Sequence, residues 1–226
     1  MKKFLKNELS NWNIFEALWL LIASRTIVGL SVYWGDTWYG ILSAFCGVVC
    51  VILTGKGKLS TYMFGVVNCI LYGYISYTQQ LYGETMLNIL YYLPMQFYGF
   101  FVWNKYIGED NGEVKRIYMS NLNRFKQLGI ICIGTYIYGL ILKYMNDPVP
   151  FIDAFTTVAS VIAMWLSCRR YAEQWFIWIS INIVSVYMWW TRYEVGGDNI
   201  ATLLMWIVFL INSIYGCVKW IKASDH

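Results

Sequence analysis

The stretch EQWFIWISINIVSVYMWWTRY, residues 173–193, is apolar over a length that crosses a bilayer, yet it carries four tryptophans and a central asparagine, Asn182. About 20 mostly apolar residues, down to about 17, make a membrane-spanning helix. An amide inside lipid costs several kcal/mol unless another helix or a polar guest satisfies it. On a 3.6-residue period Trp175, Trp178, Asn182, Ser185 and Trp189 share one stripe. Trp178 and Asn182 are one turn apart and project side by side.

The rest of the chain has the same character. Its 226 residues are 58% hydrophobic and 13% charged, with a mean hydropathy of +0.47, whereas soluble domains carry about 25% charged residues. This is the composition of an all-α integral membrane protein. The net charge of +4 is modest and lacks a basic block, so nucleic acid is not an expected partner. Segments long and apolar enough to span are 14–33, 38–54, 60–78, 84–104, 125–145, 150–168, 174–191 and 199–221. Turn-forming connectors separate them: GDT (35–37), GKGK (55–58), NDPVP (146–150) and EVGGDN (194–199). One long polar connector, 104–126, divides the chain into halves. The N-terminus lacks the small-residue cleavage site of a signal peptide.

Charge sets the orientation. Lys56, Lys58, Lys105, Lys115, Arg116, Arg124, Lys126, Arg169, Arg170, Lys219 and Lys222 fall on one alternating set of loops, and only Lys143 and Arg192 on the other. Basic loops stay cytoplasmic, so the long connector and the C-terminus are expected inside. If segment 14–33 spans, Lys2, Lys3 and Lys6 join them. Glu16 and Arg25 interrupt that segment, and the alternative is an amphipathic helix in the interface.

The halves read as copies. Asn68 corresponds to Asn182, and YGFFVW (98–103) to YGCVKW (215–220). TGKGK sits where CRRYA sits, a basic loop before each asparagine helix. The expected organisation is an N-terminal helix in 1–37, a three-helix repeat in 38–104, a cytoplasmic connector in 105–124, a linking helix in 125–145 and a second repeat in 146–222. A single linking helix leaves both copies in the same orientation, and transporters built on parallel repeats place substrate near the midplane.

Other helices also present amides or hydroxyls beside aromatics: Asn88, Tyr92, Gln96, Gly99 and Trp103; Asn68 and Tyr72; Thr156, Thr157 and Ser160; Asn212 and Gly216. One reading is interhelical glue, worth about 0.6 kcal/mol per contact. The other is a pocket for a flat, polar, cationic guest, because indole faces hold cations and amides both donate and accept. Trp103, Trp189, Trp190 and Trp220, near span ends, read as interfacial belt residues. Trp178 is mid-helix, where that role does not exist. Asp153 and Glu84 are near span ends, so no carboxylate lies mid-span to trap a cation.

Energy coupling and catalysis find no residues. TGKGKLST fails the phosphate-loop pattern because Leu59 follows Lys58. An intramembrane Asp/Glu/His relay is missing, and the single histidine is His226. Six cysteines (Cys46, Cys50, Cys69, Cys132, Cys168, Cys217) lie in or at the ends of apolar stretches without a metal or disulfide pattern. Neither a cofactor, a metal nor an enzymatic activity is expected.

LTGKGKLSTYMFGVVNCILYGYISY, LNILYYLPMQFYGFFVW, DAFTTVASVIAMWLSCRRYAEQWFIWISINIVSVYMW and NSIYGCVKW together resemble the PnuC family of bacterial vitamin transporters, over roughly residues 35–222. The resemblance implies facilitated uptake of nicotinamide riboside through the inner membrane, with a cytoplasmic kinase trapping it. It also implies a SWEET-like fold of three plus one plus three helices, seven or eight spans with the N-terminal helix, and a homotrimer. Matching motifs carry the family's riboside-binding residues onto Gln96, Trp178 and Asn182. Geometry and repeat symmetry add Asn68, Asn88, Tyr92, Thr157 and Asn212. Thiamine, another flat ring cation, fits the same argument. A structural membrane protein is the alternative from another class, and a membrane enzyme the third.

Overall fold

A computed structural model describes residues 7–78, 85–108, 112–146, 149–194 and 200–225. Lys2, Lys3, Lys6, Glu84, His226, residues 147–148 and 195–199 of the turns, and the side chains of Trp189 and Arg192 lie outside the described residues. The helices fall on the apolar segments: α1 (Ile14–Tyr33), α2 (Trp38–Lys56), α3 (Thr61–Thr78), a π-helical stretch (Leu87–Tyr92) running into α4 (Leu93–Asn104), α5 (Asn121–Tyr144), α6 (Pro150–Cys168), α7 (Gln174–Glu194) and α8 (Ile200–Ala223). Among the described residues five stretches are long and apolar enough to cross a membrane: Ile14–Tyr33, Trp38–Lys56, Asn121–Tyr144, Pro150–Cys168 and Met205–Ala223. The chain is an all-helical, multi-pass membrane protein.

Local chemistry explains the helix ends. Asn13 and Glu16 form a reciprocal capping box at α1. The hydroxyl of Thr37 accepts from Gly40 N–H at α2. Gly57, with φ 80°, closes α2 in the left-handed conformation that glycine adopts without strain. The π stretch sits just before Pro94, which cannot donate a backbone hydrogen bond. Leu93 N–H reaches back to Asn88 O, five residues away, so the backbone stays paired up to the proline.

The exposed surface is that of a lipid-facing protein. α5 exposes Leu122, Phe125, Leu128, Ile133, Ile137 and Ile141, an apolar face far beyond what a water-soluble monomer tolerates. α1 likewise exposes Phe15, Leu18, Leu21, Ile22 and Val32.

The chain divides into two compact units, Met1–Lys115 and Arg116–His226. In the first, α1 packs on α2, α2 on α3, and α3 on the π stretch and α4; in the second, α5 packs on α6, α6 on α7 and α7 on α8. The same device recurs in each unit. Gly99 of α4 leaves room for the ring of Tyr62, which meets Trp103 edge-on at 5.0 Å. Gly216 of α8 leaves room for Trp175, which meets Trp220 edge-on at 5.9 Å. Trp103 and Trp220 are therefore wholly buried, correcting the belt reading for these two. Their indoles are packed by a ring from the neighbouring helix. Trp190 is half-exposed, in keeping with a belt. A Cβ at position 216 would lie 2.7 Å from the Trp175 ring. Gly216→Ala is therefore expected to lower stability by about 1–3 kcal/mol, read as a fall in melting temperature in detergent. An unchanged midpoint would show that the Trp175 ring is free to move.

The basic connectors are not simply solvated. Lys56 and Lys58 are buried because each has been given partners. Lys56 Nζ donates to Glu16 Oε2 at 2.5 Å and Glu113 Oε1 at 3.5 Å, and to the Asn11 carbonyl. It lies 4.8 Å from the centre of the Trp12 ring. Lys58 donates to the carbonyls of Asn7 and Gly112 and to Ser10 Oγ. The connector is ordered where described: Val114 N–H donates to Gly57 O. Further on, β1 (Arg116–Ile117) pairs in parallel with β2 (Ser224–Asp225), and Ile117 bridges to Tyr171. Arg124 donates from Nε to Glu173 Oε1 at 2.8 Å. None of the six cysteines is in a disulfide.

Candidate functional site

Gln96 lies on α4 of the first unit, just past the π stretch, and is buried. Its Nε2 is 3.8 Å from Cys69 Sγ, and the amide occupies the space left by Gly65 of α3. A side chain at position 65 would overlap it. Gln96 is thus held against α3 by a glycine and a weak sulfur acceptor, leaving most of its hydrogen-bonding capacity uncommitted. Asn88 is buried within the π stretch, and Tyr92 is half-buried at its end. Asn68 is committed elsewhere. Its Nδ2 donates to Ser43 O at 2.8 Å and lies 3.2 Å from Ser43 Oγ, so it ties α3 to α2 as interhelical glue does.

Trp178 and Asn182 lie on α7 of the second unit. Asn182 is buried, and its Nδ2 donates to Ser213 Oγ at 2.9 Å. Ser213 Oγ donates to Leu210 O in turn. Asn212 is also buried on the same helix, α8. Trp178 is half-buried and packs against Ile131, Ala159, Ala163 and Ile181, with Trp206 of α8 on the same cluster. Two residues of that cluster, Ala159 and Ala163, are small side chains of α6. Thr157 is half-buried on α6.

The second unit therefore joins Asn182 to Ser213, with Trp178 one turn away on the same helix. Gln96 has its own setting in the first unit. The paired asparagines of the two halves differ in use: Asn68 bonds to the helix before it, Asn182 to the helix after it. Ser213 was not singled out in the sequence, although it adjoins Asn212 in INSIYG. Gln174 was passed over too. It is the first residue of α7, where a polar residue reads as a span boundary, yet it has no exposure at all. A cleft lined by Met119, Asn123, Gln127, Trp165, Arg169 and Tyr171 lies at the loop end of the second unit and includes none of the candidates.

Chemically, the groups of the second unit are amides, a hydroxyl and an indole face, which offer donors, acceptors and π density; the first unit offers the amides of Gln96 and Asn88. Among the described residues no group of three or more His, Cys, Asp or Glu side chains could hold a metal ion.

Comparison with known proteins follows the same line. The family model described as nicotinamide mononucleotide transporter matches residues 37–222. The nicotinamide riboside transporter PnuC of Neisseria mucosa is 38% identical over 223 residues, 96% of this chain and 85% of its own. That of Haemophilus influenzae is 32% identical, covering 96% of this chain and 95% of its own. The crystal structure of the vitamin B3 transporter PnuC superposes with a TM-score of 0.82 at 37% identity, covering 97% of this chain and 96% of that one. These relatives are named as transporters.

Proposed function

The chain belongs to the PnuC family of nicotinamide mononucleotide transporters, and from that premise we propose that it carries nicotinamide riboside across the bacterial inner membrane by facilitated diffusion. The observation that carries the reading is 38% identity with a nicotinamide riboside transporter across 96% of the chain. Cytoplasmic phosphorylation of the riboside would keep it inside, so the protein needs no energy source of its own.

In this mechanism the Trp178 indole stacks on the pyridinium, and Asn182 and Gln96 hydrogen-bond the ribose hydroxyls or the carboxamide. Neutral amides and a π face attract the cation without the deep well of a buried carboxylate, so the guest can leave on either side. Asn88, Tyr92, Thr157 and Asn212 are secondary contacts; Asn68, engaged by Ser43, ranks below them.

The fold of this reading is a parallel repeat of three plus one plus three helices with α1 as an extra span, assembled as a homotrimer. The repeat is supported by the matched Tyr62/Gly99/Trp103 and Trp175/Gly216/Trp220 packings. For α1, spanning is favoured because the outer face is apolar, whereas an interfacial helix needs a strongly polar one. The connector and C-terminus then face the cytoplasm with the basic loops.

Titrating the purified protein with nicotinamide riboside and with thiamine tests the substrate. A ligand at a hundred times its Kd stabilises the folded state by about 2.7 kcal/mol, so the melting temperature should rise with the riboside and stay put with thiamine. A rise with thiamine alone would assign another vitamin, and no rise with either would favour a structural role.

A further inference from the structure

We propose that Gln174 is a second substrate station on α7, one turn from Trp178 toward the basic-loop end, whose amide pairs with hydroxyl or carboxamide groups of the guest during its passage. The assignment rests on the transport reading above and extends it to residues that reading does not use.

Glutamine is rarely buried without partners. Gln174 has no exposed surface, yet neither Nε2 nor Oε1 has a hydrogen-bond partner. Its backbone is not the reason, since its N–H donates to Tyr171 O. The neighbouring side chains are in the same condition. Trp175 Nε1 is buried without an acceptor, and Glu173 Oε2 without a donor, although Glu173 Oε1 takes Met119 N–H and Arg124 Nε. Three consecutive residues thus leave two donor groups and two acceptor oxygens unmet in the interior. Buried polar atoms in native proteins are nearly always satisfied, so each exception calls for a physical explanation.

The set is also fixed in place. The Trp175 ring is edge-on to Trp220 and seated over Gly216, so it cannot swing its N–H to another acceptor. Glu173 is anchored by its other oxygen. Gln174, Trp178 and Asn182 are spaced by four residues and form one column along α7. A mixed donor and acceptor set suits a polyhydroxyl ring or a carboxamide, each of which both gives and takes hydrogen bonds. It would suit neither a bare cation nor an acyl chain. The cost of leaving these atoms unmet favours any arrangement in which a polar guest meets them.

The test separates binding from passage. Gln174→Met and Gln174→Leu, both apolar and close to glutamine in size, are compared with wild type in purified form and in proteoliposomes. Calorimetry gives riboside affinity, and radiolabelled riboside gives the transport rate. The expected result is a rate at least tenfold lower with Kd within threefold of wild type, and a melting temperature unchanged or raised because the unmet atoms are gone. Gln174→Asn, which keeps the amide, is expected to recover part of the rate. If one apolar variant fails to fold, the other decides. A wild-type rate in the apolar variant overturns the assignment and leaves only buried water at this site. An affinity loss as large as that of Trp178→Ala also overturns it, because Gln174 would then belong to the principal site. Wild-type protein that neither binds nor carries the riboside removes the transport reading, and this assignment with it.

Discussion

Trp178→Ala is expected to abolish measurable riboside binding while the protein remains folded. A desolvated cation over an indole is worth about 2 kcal/mol or more, and each 1.4 kcal/mol is roughly tenfold in affinity, so the loss should be at least about thirtyfold. The substitution also removes packing against Ile131, Ala159, Ala163 and Ile181. A fully buried Trp→Ala change costs about 3–5 kcal/mol, and half-buried Trp178 should cost less. Two further variants separate the effects. Trp178→Phe keeps a π face and should retain part of the affinity. Trp178→Leu fills the space without one, and should resemble alanine in affinity but phenylalanine in melting temperature. Calorimetric titration of monodisperse protein checks all three. Undiminished affinity in the alanine variant would reject the stacking role.

Apolar length made the helices legible, because lipid imposes one rule on every span regardless of neighbours. The start of α5 was less so: Asn121–Arg124 is polar, and nothing in its composition marks it as helix rather than connector. The YG…W repeat was visible, but its role was not. A tryptophan near a span end looks like a belt residue until the glycine one turn before it is seen to seat an aromatic ring beside it. The candidate site was legible in part. Asn182 stands out as an amide amid apolar residues, whereas Asn68 looks identical in sequence and only its bond to Ser43 marks it as glue. The π stretch before Pro94 was hidden, since a proline inside a span announces an interruption without saying how the backbone answers it. Least visible were the partners of Lys56 and Lys58. They come from residues 7–16 and 112–113, too far along the chain for spacing to link them.

Lys56→Met is expected to destabilise the first unit strongly. Both of its carboxylate partners, Glu16 and Glu113, are at most 4% exposed. Removing the cation would take its charge away from two carboxylates in the interior, where Asn11 Nδ2 and Asn13 N–H remain as neutral donors. Breaking a buried ion pair by deleting one partner costs about 3–5 kcal/mol, against about 0–1 kcal/mol for a surface pair. The loss should appear as a large fall in melting temperature, with proteolysis first exposing residues 7–16, which the lysine holds through Glu16 and the Asn11 carbonyl. Adding Glu16→Gln and Glu113→Gln to Lys56→Met should restore much of the stability, since neutral amides need no counter-charge. That rescue is the discriminating result, because a fall caused by lost packing would persist in the triple variant. If Lys56→Met alone changes stability by less than about 1 kcal/mol, the pair behaves as a solvated one and the clasp on the N-terminal segment is not what orders it.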